Sequence, residues 1–316
     1  MEFDLIARIC ARAATRPDVV LGIGDDAALL QPPPGMLLAV SMDTLNAGVH
    51  FPTATAPADI GWKSLAVNLS DLAAMGAQPA WCTLSLSLPE PDPAFVDGFL
   101  DGFLALARQH QVALVGGDTT RGPLSVCVTV HGFVAPGAAL RRDGARPGDE
   151  IWVTGNLGDA AAALAAMAAG AVSDRSLRAR LDRPTPRIDA GRALGGLAHA
   201  CIDVSDGLLA DLGHVCVASG VGARIELAAL PASPARARFG AAVRWPWQAS
   251  GGDDYELCFT APPGARDAVQ HALASASTPV SRIGSVTADP GVVAFDQAGQ
   301  PWRPSRSGYA HFATPG

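Results

Sequence analysis

Aspartates recur in this sequence beside glycines and after short apolar runs, the positions where α/β proteins gather ligand sites. The stretch GIGDDAALL (22–30) holds two adjacent aspartates, and LLAVSMD (37–43) and ALVGGD (113–118) each end in one. The aspartates of this pattern are Asp25, Asp26, Asp43, Asp118, Asp203, Asp206, Asp253 and Asp254. Any one of them could be an ordinary cap or turn residue. As a set they would repel one another unless hard cations neutralised them, so they indicate a metal site.

The chemistry of these side chains favours Mg²⁺ or Ca²⁺ over zinc, because the ligands are oxygens and no His or Cys cluster accompanies them. Mg²⁺ is commonly bound through a few carboxylates together with phosphate oxygens, which indicates a nucleotide. Ser64, Asn68 and Asp71 recur at i, i+4 and i+7, so a helix would place them on one face. By contrast, Asp211 is predicted to be a solvated helix position.

Composition excludes several classes of function. Lys63 is the sole lysine and lies in GWKS, so the chain has no Walker A loop. A net charge of −7 gives no electrostatic reason to bind nucleic acid or an anionic membrane. No apolar run approaches the roughly 20 residues of a membrane-spanning helix. Six cysteines, scattered singly, are typical of reduced, mostly buried thiols in a cytoplasmic protein.

Strand and helix patterns alternate along the chain and predict an α/β or α+β fold in two domains. The polar, turn-rich segment 140–150 is the predicted boundary, which gives an N-terminal domain 1–140 and a C-terminal domain 148–316. The predicted strands are 37–43, 113–118, 125–134, 151–155, 200–206 and 255–261, and the predicted helices are 58–77, 93–110, 156–170 and 207–220.

Two further motifs allow more than one interpretation. GIGDDA also fits the G-x-G-x-x-A dinucleotide fingerprint, but that loop would set two carboxylates where a pyrophosphate belongs, so this interpretation is disfavoured. GGDTTRG (116–122) is either a tight turn or, as we favour, a loop that binds phosphate and metal. His50 stands alone, and the sequence leaves a structural and a catalytic role about equally open. A stripe of Phe95, Phe99 and Phe103 has helical spacing and is predicted to be core.

The ordered set of motifs closely resembles the bacterial thiamine-monophosphate kinases, members of the aminoimidazole-ribonucleotide-synthetase-like ATP-binding superfamily. The resemblance spans essentially the whole chain. The motifs that carry it are GIGDDAALL, SMDTLNAGVHF, DIGWKSLAVNLSDLAAMGAQP, GGDTTRG, VTGNLGDAAAAL, CIDVSDGLLADLGH and SGGDDYEL.

The resemblance implies an enzyme that uses ATP to phosphorylate thiamine monophosphate to thiamine diphosphate, with several Mg²⁺ ions as cofactors. It implies a cytoplasmic homodimer whose N-terminal domains bind ATP and metal and join their sheets in a shared β-barrel. The C-terminal α/β domain would close over the site. Thiamine monophosphate and ATP are the implied partners, with neither nucleic acid nor membrane among them.

Site residues are carried over from the family position by position. The implied metal ligands are Asp26, Ser41, Met42, Asp43, Asp71, Asp118, Asp203 and Asp206. The implied ATP contacts are Gly117, Asp118, Arg142 and Ser205, the implied substrate contacts are His50, Glu256 and Phe312, and the implied catalytic residues are Asp71, Asp118 and Arg142.

The chain departs from the family at Met42, at Leu100, and at Asn46 and Ala47, which replace a common Val-Glu pair. Met42 replaces a threonine, so only its backbone carbonyl could bind a metal, and Leu100 stands where an aromatic ATP contact is expected. The implied mechanism is direct in-line transfer of the γ-phosphoryl group. The acceptor phosphate is already anionic near neutral pH and needs no strong base. Two alternatives stay open: another ATP-using member, such as an aminoimidazole ribonucleotide synthetase, or a non-catalytic Mg-ATP sensor.

Overall fold

The computed structural model of the chain describes residues 2–171, 174–306 and 308–309. The six cysteines are free, and four of them are buried, as their scattered spacing predicts. Among the described residues, no helix has the length and apolar character needed to cross a membrane.

The chain forms two compact units, each built on its own sheet. The N-terminal unit comprises Met1–Leu72 and Ala77–Gly137, and the C-terminal unit comprises Ala73–Gly76 and Ala138–Gly316. A four-stranded sheet lies in the first unit and a seven-stranded sheet in the second. Both sheets mix parallel and antiparallel pairs.

The N-terminal unit combines a small β-ribbon, the four-stranded sheet and three helices. The sheet has the order β3-β6-β4-β5, with β4 and β5 parallel and the other neighbours antiparallel. In chain order the elements are α1 (Glu2–Arg12), β1 (Val19–Leu21), β2 (Leu29–Leu30), β3 (Leu37–Asn46), α2 (Pro57–Ala74), β4 (Gln78–Leu88), α3 (Pro93–Gln109), β5 (Ala113–Arg121) and β6 (Ser125–Val134).

The sequence patterns predict three of these four strands and both central helices. β3, β5 and β6 begin at the predicted residues, and α2 and α3 agree with their predicted ranges to within a few residues. β4 has no counterpart among the predicted strands, because Pro79 fits a helix stop as well as it fits the start of a strand. Thr83–Leu88 nevertheless alternates polar and apolar residues, which is the pattern of a half-buried strand.

Helices α2 and α3 approach each other closely because glycines line their contact. A Cβ atom at Gly61 would lie 2.0 Å from the carbonyl oxygen of Phe99, and one at Gly102 would lie 1.7 Å from that of Ala58. Phe99 and Phe103 are fully buried beside this contact, with ring centroids 5.7 Å apart. Two of the three phenylalanines of the stripe are therefore core, as its spacing predicts, whereas Phe95 is only partly buried.

The C-terminal unit surrounds a seven-stranded sheet of order β13-β12-β9-β11-β7-β10-β8. Only β9 and β12 pair in parallel. Its strands are β7 (Glu150–Thr154), β8 (Ala200–Asp203), β9 (Gly222–Glu226), β10 (Leu257–Ala261), β11 (Val280–Thr287), β12 (Gly291–Phe295) and β13 (Pro301–Trp302). Its helices are α4 (Asp159–Ala168), α5 (Arg175–Asp182), α6 (Ile188–Ala193), α7 (Leu208–Ser219), α8 (Pro234–Ala237), α9 (Ala241–Ser250) and α10 (Arg266–Ser275).

The core of the C-terminal unit lies between this sheet and helix α7. Ile151, Ile202 and Ile225 come from three strands and pack in one buried cluster with Leu208 and Leu212 of α7. Strands β7, β10 and β8, which are consecutive in the sheet, are buried along their whole lengths, which explains their nearly continuous apolar sequences. This packing holds β7 and β8 in place up to their last residues, Thr154 and Asp203, which are polar.

His131 on β6 is expected to make the free energy of unfolding depend on pH. Burial lowers its pKa, and a hydrogen bond to the backbone of Trp81 offsets only part of the shift. The folded-state pKa therefore lies below the unfolded value of about 6.5. Neutral His131 favours the folded chain above that pH, and this contribution disappears as the pH falls through the folded-state pKa.

As the pH is lowered from about 7.5 to 5.5, the free energy of unfolding should decrease less in His131→Gln than in the wild type, because the amide does not titrate. The measurement is urea unfolding at fixed protein concentration. His271→Gln removes an exposed histidine on α10 and serves as the control. A slope that matches the wild type in the His131 variant would contradict the prediction.

Candidate functional site

One face of α2 is polar and lies against β3, as the i, i+4, i+7 spacing predicts. The side-chain oxygen of Asn68 accepts the backbone N–H of Asp43 at 2.9 Å, and Asp71 Oδ2 accepts the hydroxyl of Ser41 at 2.5 Å. Asn68 also donates to the carbonyl of Ser64 at 2.9 Å. We name Ser41, Asp43, Asn68 and Asp71 the α2–β3 polar seam. It brings together three predicted metal ligands.

The donor chemistry of the seam fits a hard cation. Ser41, Asp43 and Asp71 offer only oxygen ligands, which Mg²⁺ prefers. Met42 alternates to the other face of β3, where it is 62% exposed, so only its carbonyl could join the same ion. Within the part of the chain that the structure describes, no three His, Cys, Asp or Glu residues are grouped closely enough to hold a metal. A bound Mg²⁺ would therefore need further oxygens, from water or a phosphate.

Two predicted metal ligands of the N-terminal unit are not part of the seam. Asp26 is exposed in the turn between β1 and β2, and its N–H donates to Asp25 Oδ1 at 2.8 Å. Because both carboxylates are exposed, solvent can screen their repulsion. Asp118 is exposed on the edge strand β5, opposite Ser85 of β4. Three interstrand spacings, about 14 Å, separate this edge from β3, so the structure does not bring Asp118 beside Asp43.

GGDTTRG adopts an edge strand rather than the predicted loop. Gly117 lies so close to β4 that a Cβ atom would be 1.8 Å from the carbonyl oxygen of Leu84. Thr119–Arg121 line a cavity of about 650 Å³ together with residues 88–91. Packing of β5 against β4 thus requires a glycine at position 117. The polar residues Thr119, Thr120 and Arg121 that follow it line an open cavity.

His50 lies in the loop between β3 and α2, and both its ring and its carbonyl accept hydrogen bonds. Its Nδ1 accepts the backbone N–H of Asn46 at 2.9 Å, so Nδ1 carries no proton in this arrangement. The carbonyl of His50 accepts the ammonium of Lys63 at 2.9 Å, and Lys63 is only 2% exposed. The sole lysine of the chain thus anchors the predicted substrate loop.

Three further residues were singled out from the sequence. Arg142 is exposed in the segment before β7, and its carbonyl accepts the hydroxyl of Ser219 at 2.8 Å. Leu100 is fully buried within α3, so its side chain is a core contact and cannot meet a nucleotide at the surface. Phe312 lies outside the described residues.

In the C-terminal unit, strand ends converge on one edge of the sheet. β10 runs antiparallel between β7 and β8, so its first residue lies beside the last residues of its two neighbours. Thr154, Asp203 and Glu256 meet there, and Ser205 and Asp206 follow directly after β8. This edge carries four of the implied site residues, namely Asp203, Ser205, Asp206 and Glu256.

Asp211 fixes the turn that leads from this edge into α7. Its Oδ2 accepts the backbone N–H groups of Ser205, Asp206 and Gly207 at 3.1, 3.1 and 3.0 Å. Burial raises the pKa of Asp211 to about 7, the Gly207 N–H opposes that shift, and the charge of Asp206 adds to it. The predicted solvated role is therefore wrong, since the residue is buried and its carboxylate caps the turn.

Glu256 is 0% exposed, and its carboxylate accepts four hydrogen bonds. Arg187 approaches it bidentately, with Nε 2.6 Å from Oε2 and Nη2 2.6 Å from Oε1. Arg180 Nη2 lies 2.9 Å from Oε1, and the Thr154 hydroxyl donates to Oε2 at 2.7 Å. The sequence patterns did not predict these three partners. The stretch RLDRPTPR (180–187), with arginines on both sides of two prolines, could have indicated a rigid segment that presents cations. A Cβ atom at Gly155 would lie 2.0 Å from Oε1.

Asp254 ties the same segment to the start of α4. Both of its carboxylate oxygens accept the N–H of Gly158, at 2.8 and 2.7 Å. Burial raises the pKa of Asp254 well above its ordinary value, and the Gly158 N–H offsets only part of that shift. The backbone carbonyl of Asp254 also accepts Arg180 Nη2 at 3.0 Å. Residues 254–256 therefore bind helices from three parts of the unit.

Family models and relatives match this chain along its length. The model described as AIR synthase related protein, N-terminal domain, matches residues 24–134, and the corresponding C-terminal domain model matches residues 146–297. The thiamine-monophosphate kinase of Escherichia coli is 51% identical over 323 aligned residues, which cover 99% of each chain.

Solved structures give the same result. The crystal structure of thiamine-monophosphate kinase from Stenotrophomonas maltophilia is 55% identical and has a TM-score of 0.88, covering 93% of this chain and 96% of that one. AaThiL complexed with AMPPCP and TMP is 30% identical and has a TM-score of 0.77, covering 98% and 96%. Because the similarity extends over nearly all of both chains, this protein belongs to the thiamine-monophosphate kinase family, with the two-domain α/β fold of the AIR synthase related proteins.

Proposed function

We propose that the protein transfers the γ-phosphoryl group of ATP to thiamine monophosphate and so forms thiamine diphosphate. The observation that carries the proposal is similarity over nearly the whole chain to AaThiL, whose structure holds both AMPPCP and TMP. Four of the proposed metal ligands lie on regular elements, with Ser41 and Asp43 on β3, Asp71 on α2 and Asp203 on β8. We infer that the enzyme works in the cytoplasm, where ATP is supplied and free thiols persist.

The α2–β3 polar seam supplies the oxygen ligands for Mg²⁺ in this proposal. Ser41, Asp43 and Asp71 would hold the metal, and Asp26, Asp118, the Met42 carbonyl, Asp203 and Asp206 would complete the ligand sets. Bound Mg²⁺ would neutralise phosphate charge that otherwise keeps the two anionic substrates apart. Asn68 holds the backbone of Asp43, so this ligand needs little reorganisation when the site fills.

The remaining residues orient the substrates. Gly117, Asp118, Arg142 and Ser205 are assigned to ATP, and His50, Glu256 and Phe312 to thiamine monophosphate. Asp71, Asp118 and Arg142 are the proposed catalytic residues. The acceptor oxygen is anionic near neutral pH, so direct in-line transfer requires neither a strong base nor a covalent enzyme intermediate.

A homodimer that joins two N-terminal sheets in a β-barrel completes the proposal. Among the described residues the four-stranded sheet is open, with β3 at one edge. Leu38, Val40 and Met42 lie on the β3 face opposite the seam, and all three are exposed. An exposed apolar strand edge is a pairing surface, and barrel closure would remove it. We assign ATP binding, metal binding and dimerisation to residues 1–140, with the C-terminal domain spanning 148–316.

The kinase assay is the direct test. With ATP and Mg²⁺, we expect chromatography to show thiamine diphosphate from thiamine monophosphate and no product from thiamine or from an aminoimidazole precursor. Nucleotide binding without diphosphate product would contradict the proposal and favour a sensor. Consumption of the aminoimidazole precursor would favour a synthetase.

Removing one proposed carboxylate ligand of the N-terminal unit should separate turnover from folding. We expect Asp71→Asn and Asp118→Asn each to lower kcat by about a hundredfold or more, because each loses a metal ligand whose charge acts in the transition state. The control Asp101→Asn loses a carboxylate in a surface pair with Arg12 and should retain activity. Wild-type turnover in both site variants, with folding verified by circular dichroism, would refute the metal assignment.

The dimer proposal has its own test. We expect Val40→Lys to give a monomer in size-exclusion chromatography with light scattering, because the barrel interior would have to bury an unpaired ammonium group. Val217→Lys alters an 84% exposed valine on α7 and should leave the wild-type mass unchanged. A dimeric Val40→Lys protein, or a monomeric wild type, would contradict the barrel.

A further inference from the structure

Lys63, the sole lysine of the chain, is a buried charge on α2. The residue is 2% exposed, and its ammonium group donates to the backbone carbonyl of His50 at 2.9 Å. An ammonium group can be buried only where polar acceptors replace its water, and the His50 carbonyl is one of these acceptors. A shift of the loop that carries His50 would therefore take an acceptor away from a buried charge.

Fold stability alone gives no reason for a charge at position 63. A methionine has a stem of similar length and would fill much the same space without the cost of desolvating an ammonium group. What the lysine adds is a directed contact, because its N–H donor must reach one particular carbonyl. The charge therefore points to a role in placing the loop against α2.

The loop closes on the ring of His50. The N–H of Asn46 donates to His50 Nδ1 at 2.9 Å, and the N–H of His50 donates to the Asn46 carbonyl at 3.0 Å. Gly48 turns the chain with a φ of 77°, and its N–H donates to the carbonyl of buried Phe51 at 2.9 Å. The ring is thus tied to the end of β3, while the carbonyl of the same residue is tied to α2.

These contacts select one tautomer of His50. Because Nδ1 accepts a backbone N–H, the ring is neutral and carries its proton on Nε2. Nε2 is therefore a hydrogen-bond donor, and the residue is only partly buried. An acceptor on a ligand would meet this donor at the place that Asn46 and Lys63 give to the ring.

Helix α2 connects this loop to the α2–β3 polar seam. Ser64 follows Lys63 on the helix, and its carbonyl accepts the side-chain amide of Asn68 at 2.9 Å. The side-chain oxygen of Asn68 accepts the N–H of Asp43 at 2.9 Å. About one and a half turns of one helix thus hold both the His50 loop and a proposed metal ligand, so the helix sets the distance between them.

We propose that Lys63 is a positioning residue, which holds His50 at a fixed place relative to the α2–β3 polar seam and thereby sets the affinity of the site for the acceptor substrate. The inference rests on the proposed function in one respect, the assignment of His50 to thiamine monophosphate. Lys63 acts through His50, because its own ammonium group is sealed beneath the loop. Nucleotide affinity does not depend on this contact.

Steady-state kinetics of the full chain with Mg²⁺ tests the proposal. We expect Lys63→Met to raise KM for thiamine monophosphate about tenfold or more and to leave kcat and KM for ATP within about twofold, because an orienting contact acts equally on bound substrate and transition state. The thermal midpoint should stay close to that of the wild type. Arg108→Met removes an exposed arginine from the last turn of α3 and should leave both KM values unchanged.

A double variant tests whether Lys63 acts through His50. We expect His50→Ala to raise KM for thiamine monophosphate at least as much as Lys63→Met does. The double variant should match His50→Ala, because the group that Lys63 positions is already absent. Additive losses would overturn the positioning role. Wild-type constants in Lys63→Met, an equal rise in KM for ATP, or a loss confined to kcat would overturn it as well.

A second substitution keeps the test independent of folding. If Lys63→Met does not fold, as judged by its thermal transition, Lys63→Gln takes its place, since it removes the charge and keeps a polar side chain. The same split between the two KM values is expected. Failure of both variants to fold would assign Lys63 to fold stability and overturn the proposal.

Nitrogen NMR of protein with isotope-labelled histidine reads the loop without turnover. We expect His50 Nδ1 to carry no proton in the wild type, and Lys63→Met to populate both tautomers, because the ring is then less firmly held against Asn46. An unchanged His50 signal in the variant would overturn the positioning role. A wild type that makes no thiamine diphosphate but shows this change would refute the proposed function alone.

Discussion

The buried carboxylate of Glu256 is the interaction on which the polar edge of the C-terminal unit depends. It joins the start of β10 to α5, to the beginning of α6 and to the end of β7 through Arg180, Arg187 and Thr154. Removing one partner of a buried ion pair typically costs about 3–5 kcal/mol, because the charge left behind is neither solvated nor paired. The glycine at position 155 follows from the same constraint, since any side chain there would collide with the carboxylate.

Both units position candidate ligands by one physical device, in which a buried polar side chain holds the backbone of the segment that carries them. Asn68 accepts the N–H of Asp43 in the N-terminal unit, and Asp211 accepts the N–H groups of residues 205–207 in the C-terminal unit. Both supporting side chains accept backbone N–H groups. They fix the ligand-bearing backbone before any ligand arrives, which lowers the cost of assembling a charged site.

Much of the fold could be predicted from the sequence, because hydrophobic periodicity reports directly on burial. The helix face of Asn68 and Asp71 and the core role of the phenylalanine stripe follow from spacing alone. Strand β4 could not be separated from a helix stop, because Pro79 suits both. The burial of Asp211 and the pairing of Glu256 with two arginines depend on contacts distant in sequence, which local pattern does not encode. For the same reason GGDTTRG resembles a glycine loop, although pairing with β4 makes it a strand.

The buried position of Lys63 makes the folded chain nearly inert to reagents that attack lysine. Its ammonium group is sealed beneath the loop that carries His50 and donates to that residue's carbonyl. Acylating reagents and amine-directed cross-linkers need an accessible, deprotonated amine, and this chain has no second lysine to offer them. Modification at residue 63 would therefore record how often the loop between β3 and α2 opens, with a single site and no background from other lysine side chains.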